Sequence, residues 1–177
     1  MSARPLTLAA VAGLVGGVLA GLAGIGPALV TPGANGRFAS YAAVLVTLIA
    51  VQLGARAAAA APGGGAFRAR LSAAAVISTL VAALDGLGLY LLYAALRPEL
   101  LAERYGAYEA RLWAAGLPPE RLAAGLAELT ARRAQYLDPL YQAVETAGLL
   151  LFCGLVLGAY LAFHARLAAR LGRRPGI

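Results

Sequence analysis

No lysine occurs in the 177 residues, so all 15 basic side chains are arginine. Cysteine, tryptophan, methionine and histidine occur once each. The single cysteine, Cys153, excludes an internal disulfide and any cysteine-based metal set. With one histidine, His164, the chain offers no Ser/His/Asp or Cys/His arrangement, and it has no phosphate-binding loop. Charged residues are only 13% of the chain, whereas soluble domains carry roughly 25%. These shortages argue against an enzyme, against a resident metal or other cofactor, and against a water-soluble globule.

What fills the gap is apolar: 61% of positions are hydrophobic. Four long apolar runs cover about 5–31, 38–60, 71–96 and 140–167. Each reaches the ~20 residues that a helix needs to cross ~30 Å of hydrocarbon. The expected fold is an all-α bundle of four transmembrane helices in a single integral membrane domain. The first run extends from Leu6 to about Val30, beyond the roughly 7–15 residues of a signal-peptide core, so it is expected to be a retained span. Arginine in place of lysine, with abundant Ala, Gly and Leu, fits a GC-rich coding bias and points to a bacterial source.

The net charge is +7. The arginines sit at helix ends and form no single patch interleaved with aromatics, so nucleic-acid binding is not expected. Short loops keep arginine on the cytoplasmic side of a membrane. The second connection holds Arg56, Arg68 and Arg70, the tail holds Arg166, Arg170, Arg173 and Arg174, and the first connection holds Arg37 alone. The consistent orientation is a multi-pass protein of the cell membrane with both termini in the cytoplasm. Tyr41, Tyr90, Tyr93, Tyr136 and Tyr141 then fall near the outer boundary, where an apolar ring with a wet hydroxyl is favoured.

Glycines at 13, 17 and 21 recur every four residues and share one face of the first span. Gly154 and Gly158 repeat the spacing in the fourth. Such faces let helices approach closely, either within one chain or between two copies. Pro27 and Pro32 are expected to end the first helix, with a turn over Gly33 to Gly36. Asp138 followed by Pro139 has the form of an N-cap with proline at the first helical position.

The insert of about 98–137 differs in character. Leu101, Tyr105, Tyr108 and Leu112 form one helical stripe, and Leu122, Leu126, Leu129 and Tyr136 a second after the Pro118-Pro119 turn. Glu128 and Arg132 are spaced for an i,i+4 pair. Two amphipathic helices are expected outside the membrane. They would cap the bundle, lie in the outer interface, or present a partner surface.

Four intramembrane polar residues are the candidates for chemistry: Asp85, Glu145, Gln52 and Thr47. Asp85 lies ~16 Å inside the outer end of its span at 1.5 Å per residue. A carboxylate near mid-bilayer costs about 2.5–3.5 kcal/mol on insertion scales, so it calls for a partner. Thr47 and Gln52 bracket its level on the second span. Glu145 lies only ~7 Å inside the outer boundary. Asp85 is read either as a hydrogen bond that fixes packing or, with Glu145, as part of a proton or cation path.

The layout resembles small bacterial membrane proteins of the domain of unknown function 4199 family. The likeness rests on the glycine-rich entry into the third span, GGGAFRARLSAAAVISTLVAALDGLGLYLLY, and on the proline-containing exit ALRPELLAERYGAYEARL. It implies a four-helix membrane fold with no assigned activity and no catalytic residues to carry over. The Asp85-Gly86 pair has no counterpart in that pattern. The favoured expectation is a non-catalytic membrane protein with a structural, interaction or accessory role, embedded in lipid and packed with itself or with another subunit. The alternative is a small proton- or cation-coupled transporter or channel that uses Asp85 and Glu145.

Overall fold

The structure, a computed structural model, describes residues 3–30, 36–61 and 67–171. Among these the elements are helical throughout. They are α1 (Ala3–Val30), α2 (Gly36–Ala60), α3 (Phe67–Leu91) extended by a π-helical turn (Leu92–Leu96), α4 (Glu99–Ala114), α5 (Pro119–Ala131), α6 (Arg133–Leu137) and α7 (Pro139–Leu171). Four stretches, Arg4–Gly26, Tyr41–Ala60, Phe67–Leu96 and Pro139–Ala169, are long and apolar enough to cross a membrane. The fold is an all-α membrane bundle.

The first helix runs longer than proline rules suggest. It continues past Pro27 to Val30. Proline deletes one backbone hydrogen bond, but spanning helices tolerate that loss because neighbouring groups re-satisfy the freed backbone. Pro32 and Gly33 lie outside the described residues, and Gly36 opens α2. The start of α7 follows the expected chemistry: Leu140 N–H donates to Asp138 Oδ1 at 2.8 Å. A cap of this kind stabilises a helix by ~1 kcal/mol.

Glycine contacts set the relative directions of the spans. A Cβ at Gly13 would meet Leu80 Cβ at 2.9 Å, one at Gly17 would meet Leu84 Cβ at 2.9 Å, and one at Gly88 would meet Ile25 Cδ1 at 2.7 Å. Numbers rise together, so α1 and α3 are parallel. Gly16 faces Ala50 and Gly54 faces Ala12, at 2.6 and 2.9 Å, so α1 and α2 are antiparallel. Gly154 faces Ser78, Gly158 faces Ala74 and Gly86 faces Ala147, so α3 and α7 are antiparallel. Helix α3 sits at the centre, packed on α1, α2 and α7, while α1 and α7 flank it on opposite sides. Lipid tails are as apolar as leucine, so burial alone gives no drive to associate; close van der Waals packing across small residues does.

The central core joins Ala9 and Ala20 of α1, Val51 of α2, Ala73, Ala74, Ile77 and Val81 of α3, and Leu150 of α7. Its two buried hydroxyls are satisfied locally. Thr47 donates to the Ala43 carbonyl and Ser78 to the Ala74 carbonyl, both at 2.8 Å. A second cluster closes the end of the bundle where α3 finishes and α7 begins. There Leu89, Leu92, Tyr93, Leu100, Leu101 and Ala143 pack together.

The insert holds three helices rather than two, since the second stripe breaks at Arg132 and Tyr136 lies on the short α6. Leu100 and Leu101 root α4 on the bundle, and beyond them only Leu129 is fully buried in the α4–α5 pair. Glu128 and Arg132 do pair, at 3.1 Å, on an exposed face, where such a pair contributes little.

Candidate functional site

Helix α3 brings Asp85 into the interior. The residue is 1% exposed, and neither Oδ1 nor Oδ2 has a hydrogen-bond partner among the described residues. It faces α1, where a Cβ built on Gly24 would lie 3.4 Å from Oδ1. Gly21, one turn earlier on the same helix, is buried, yet a Cβ there would touch nothing within 4 Å. Next to Asp85, Gly86 packs toward α7, with Ala147 Cβ 3.0 Å from its Cβ position. Glycine thus faces the carboxyl from α1 at Gly24, and a Cβ at Gly21 would meet open space.

The other sequence candidates do not converge on it. Thr47 is fully buried, but its hydroxyl bonds within its own helix. Gln52 is half-buried, and no hydrogen bond joins it to Asp85. Glu145 is exposed on the surface of α7. The hydrogen bond expected to fix Asp85 in the packing is not present among the described residues. Of the glycine faces, Gly13, Gly17, Gly154 and Gly158 all pack against α3 of the same chain, and Gly21 is the one without a close neighbour.

A second polar centre lies at the end of the bundle that carries the insert. Arg104 Nη1 donates to the Tyr93 hydroxyl at 2.7 Å, and its guanidinium carbon stands 5.8 Å from the centre of that ring. Burial works against the charge of Arg104, but the Tyr93 and Tyr108 oxygens outweigh it, so the guanidinium titrates above its ordinary range and stays charged. Tyr136 packs against Tyr105 and Tyr108, with ring centres 6.3 and 5.6 Å apart. Arg133 stacks on Tyr105 and Arg111 on Tyr108, each at 5.7 Å. Cation–π contacts contribute ~0.5–1 kcal/mol where exposed and more when desolvated. This arginine–tyrosine cluster ties α3, α4 and α6 together. Beside it, Arg97 bonds Glu99 and holds that carboxyl below the usual range.

Arg104 was within reach of sequence spacing, because it lies three residues after Leu101 and four before Tyr108 on the same helical stripe. Gln142 was not. It is 8% exposed, its Nε2 donates to the Gln135 carbonyl at 3.3 Å, and its own carbonyl accepts from Thr146 at 3.0 Å. Only the docking of α6 on α7 makes it a buried link.

At the other end, His164 is exposed and its ring neighbour is Tyr160, 5.9 Å away. Arg166 stands over Phe67 at 5.7 Å. No group of three His, Cys, Asp or Glu that could hold a metal ion occurs among the described residues. Comparison with family models, with curated proteins and with solved structures finds no match.

Proposed function

We propose that this chain is a non-catalytic integral membrane protein that acts by contact, as an interaction or accessory subunit, through its α4–α5 pair. In this reading it sits in the cell membrane with both termini in the cytoplasm, and the pair projects on the outer side. The arginines of the α2–α3 connection and of the tail support that orientation. The observation that carries the proposal is the contrast along the insert. Its root is held by Leu100, Leu101 and the Arg104–Tyr93 bond, while its tip leaves Trp113 60% and Leu117 36% exposed. Tryptophan is enriched where binding energy concentrates, and a rigid root lowers the ordering cost of binding.

A photo-crosslinking residue in place of Trp113, in native membranes, is expected to yield a discrete protein adduct: a second copy of the chain or another membrane subunit. The same group in place of Phe152, on the lipid side of α7, is expected to yield lipid adducts. Lipid adducts alone from position 113, with the protein monomeric throughout, would remove the basis for the proposal.

A second reading, a small proton- or cation-coupled transporter or channel, draws on one feature, the unpartnered Asp85. It predicts an ion flux in liposomes that Asp85→Asn abolishes without loss of fold. An unchanged flux, or none with the native chain, eliminates it.

A further inference from the structure

We infer that Asp85 is a proton-binding site enclosed between α1 and α3, occupied at neutral pH by a proton on its carboxyl group. The inference rests on the placement of one side chain. It names the ion for the transport reading without requiring that any ion be carried.

No described group on the neighbouring helices compensates a charge there. Helix α1 has no ionisable side chain between Pro5 and Val30. The described ionisable groups of α2 are Tyr41 and Arg56, both exposed. Those of α7 are Tyr141, Glu145, Tyr160, His164 and Arg166, all exposed, and the half-buried Cys153. On the third span itself, Arg68 and Tyr90 are exposed, Arg70 is half-buried a full four turns earlier, and Tyr93 is engaged with Arg104. No described group donates a hydrogen bond to either carboxyl oxygen. A bare carboxylate would thus be buried with neither counter-charge nor donor, the costliest arrangement for a charged group, whereas the neutral acid avoids most of that cost.

A metal cation fits less well. Hard cations take six or more oxygen ligands. Here Gly24, which faces Oδ1, offers no side-chain oxygen, and the buried hydroxyls of Thr47 and Ser78 donate to carbonyls of their own helices. A proton needs one oxygen. Uptake forms one O–H bond at Oδ1 or Oδ2 as hydronium gives up its proton to become water, and release reverses the step. Gly24 faces the carboxyl from α1, where even a Cβ would stand at ordinary contact distance, 3.4 Å from Oδ1.

Infrared spectroscopy of the full chain in detergent tests this directly. An un-ionised carboxyl shows its own carbonyl stretch, well above the amide band, and the band shifts down in heavy water. The other 7 Asp and Glu residues are exposed, but Glu145 is exposed on a spanning helix, so the part of such a band that Asp85→Asn removes at neutral pH reports Asp85. The band is expected in the native chain, lost in Asp85→Asn, and displaced in Asp85→Glu. Should the Asn variant not fold, a hydrophobic carbodiimide, which attacks protonated buried carboxyls, is expected to add one reagent mass to the peptide that holds Asp85. Absence of the band from the native chain overturns the inference. The spectrum reads occupancy at rest and the liposome assay reads movement, so either can fail without the other.

Discussion

Gly158→Ala is expected to destabilise the bundle by about 1–3 kcal/mol, the usual cost of overpacking a filled interface. The new methyl group would overlap the Cβ of Ala74 across the α3–α7 contact. Ala74 is fully buried in the central core and has nowhere to retreat. Gly154→Ala acts the same way, because its Cβ position lies 2.8 Å from Ser78 Cβ and within overlap of Ser78 Oγ. Leucine at both positions is expected to hold α7 off α3 and abolish the folded state. The control lies on the same helix. Gly148 is exposed and a Cβ there meets nothing within 4 Å, so Gly148→Ala is expected to be neutral or stabilising, since alanine is the better helix former. Thermal unfolding in one detergent would order the set, with Gly158→Ala and Gly154→Ala below the native chain and Gly148→Ala level with or above it. Equal midpoints for all three would show that α3 and α7 do not meet through these glycines.

The second large effect concerns the root of the insert. Arg104→Ala is expected to cost about 1–3 kcal/mol, because it leaves the hydroxyl of the buried Tyr93 without its donor. Tyr93→Phe removes the acceptor instead and keeps the ring contact, so a smaller loss in the same direction is expected. The two changes together are expected to cost less than their sum, the mark of a shared interaction. Limited proteolysis supplies the readout that distinguishes a loosened insert from a weakened bundle. In Arg104→Ala, cleavage within 98–137 is expected to accelerate while the four spans stay protected. Uniform acceleration along the chain, or none, would contradict the role given to this bond.

The spans were legible because their signal is length and composition, which hydrocarbon imposes directly. The Asp138 cap and the Leu101, Tyr105, Tyr108 stripe were legible because each depends on residues within two turns of one another. Pro27 misled because the rule that proline ends helices describes chains in water, and α1 passes through it. The surroundings of Asp85 were not legible, for a different reason. Depth counting gives the level of Thr47 and Gln52 but not which way their helix faces, and that rotation depends on close contacts between spans such as Gly16 with Ala50 and Gly54 with Ala12. The link made by Gln142 depends in the same way on a short helix, α6, that no periodicity announced.

The π-helical turn over Leu92–Leu96 sets the heading of the insert that follows it. Arg97 N–H reaches back five residues to the Leu92 carbonyl at 2.7 Å, so this turn holds one residue more than an α-helical turn would. The same residues wound as an α-helix would carry everything after the turn roughly 100° further around the axis of α3, and the Trp113 tip would point toward a different neighbour.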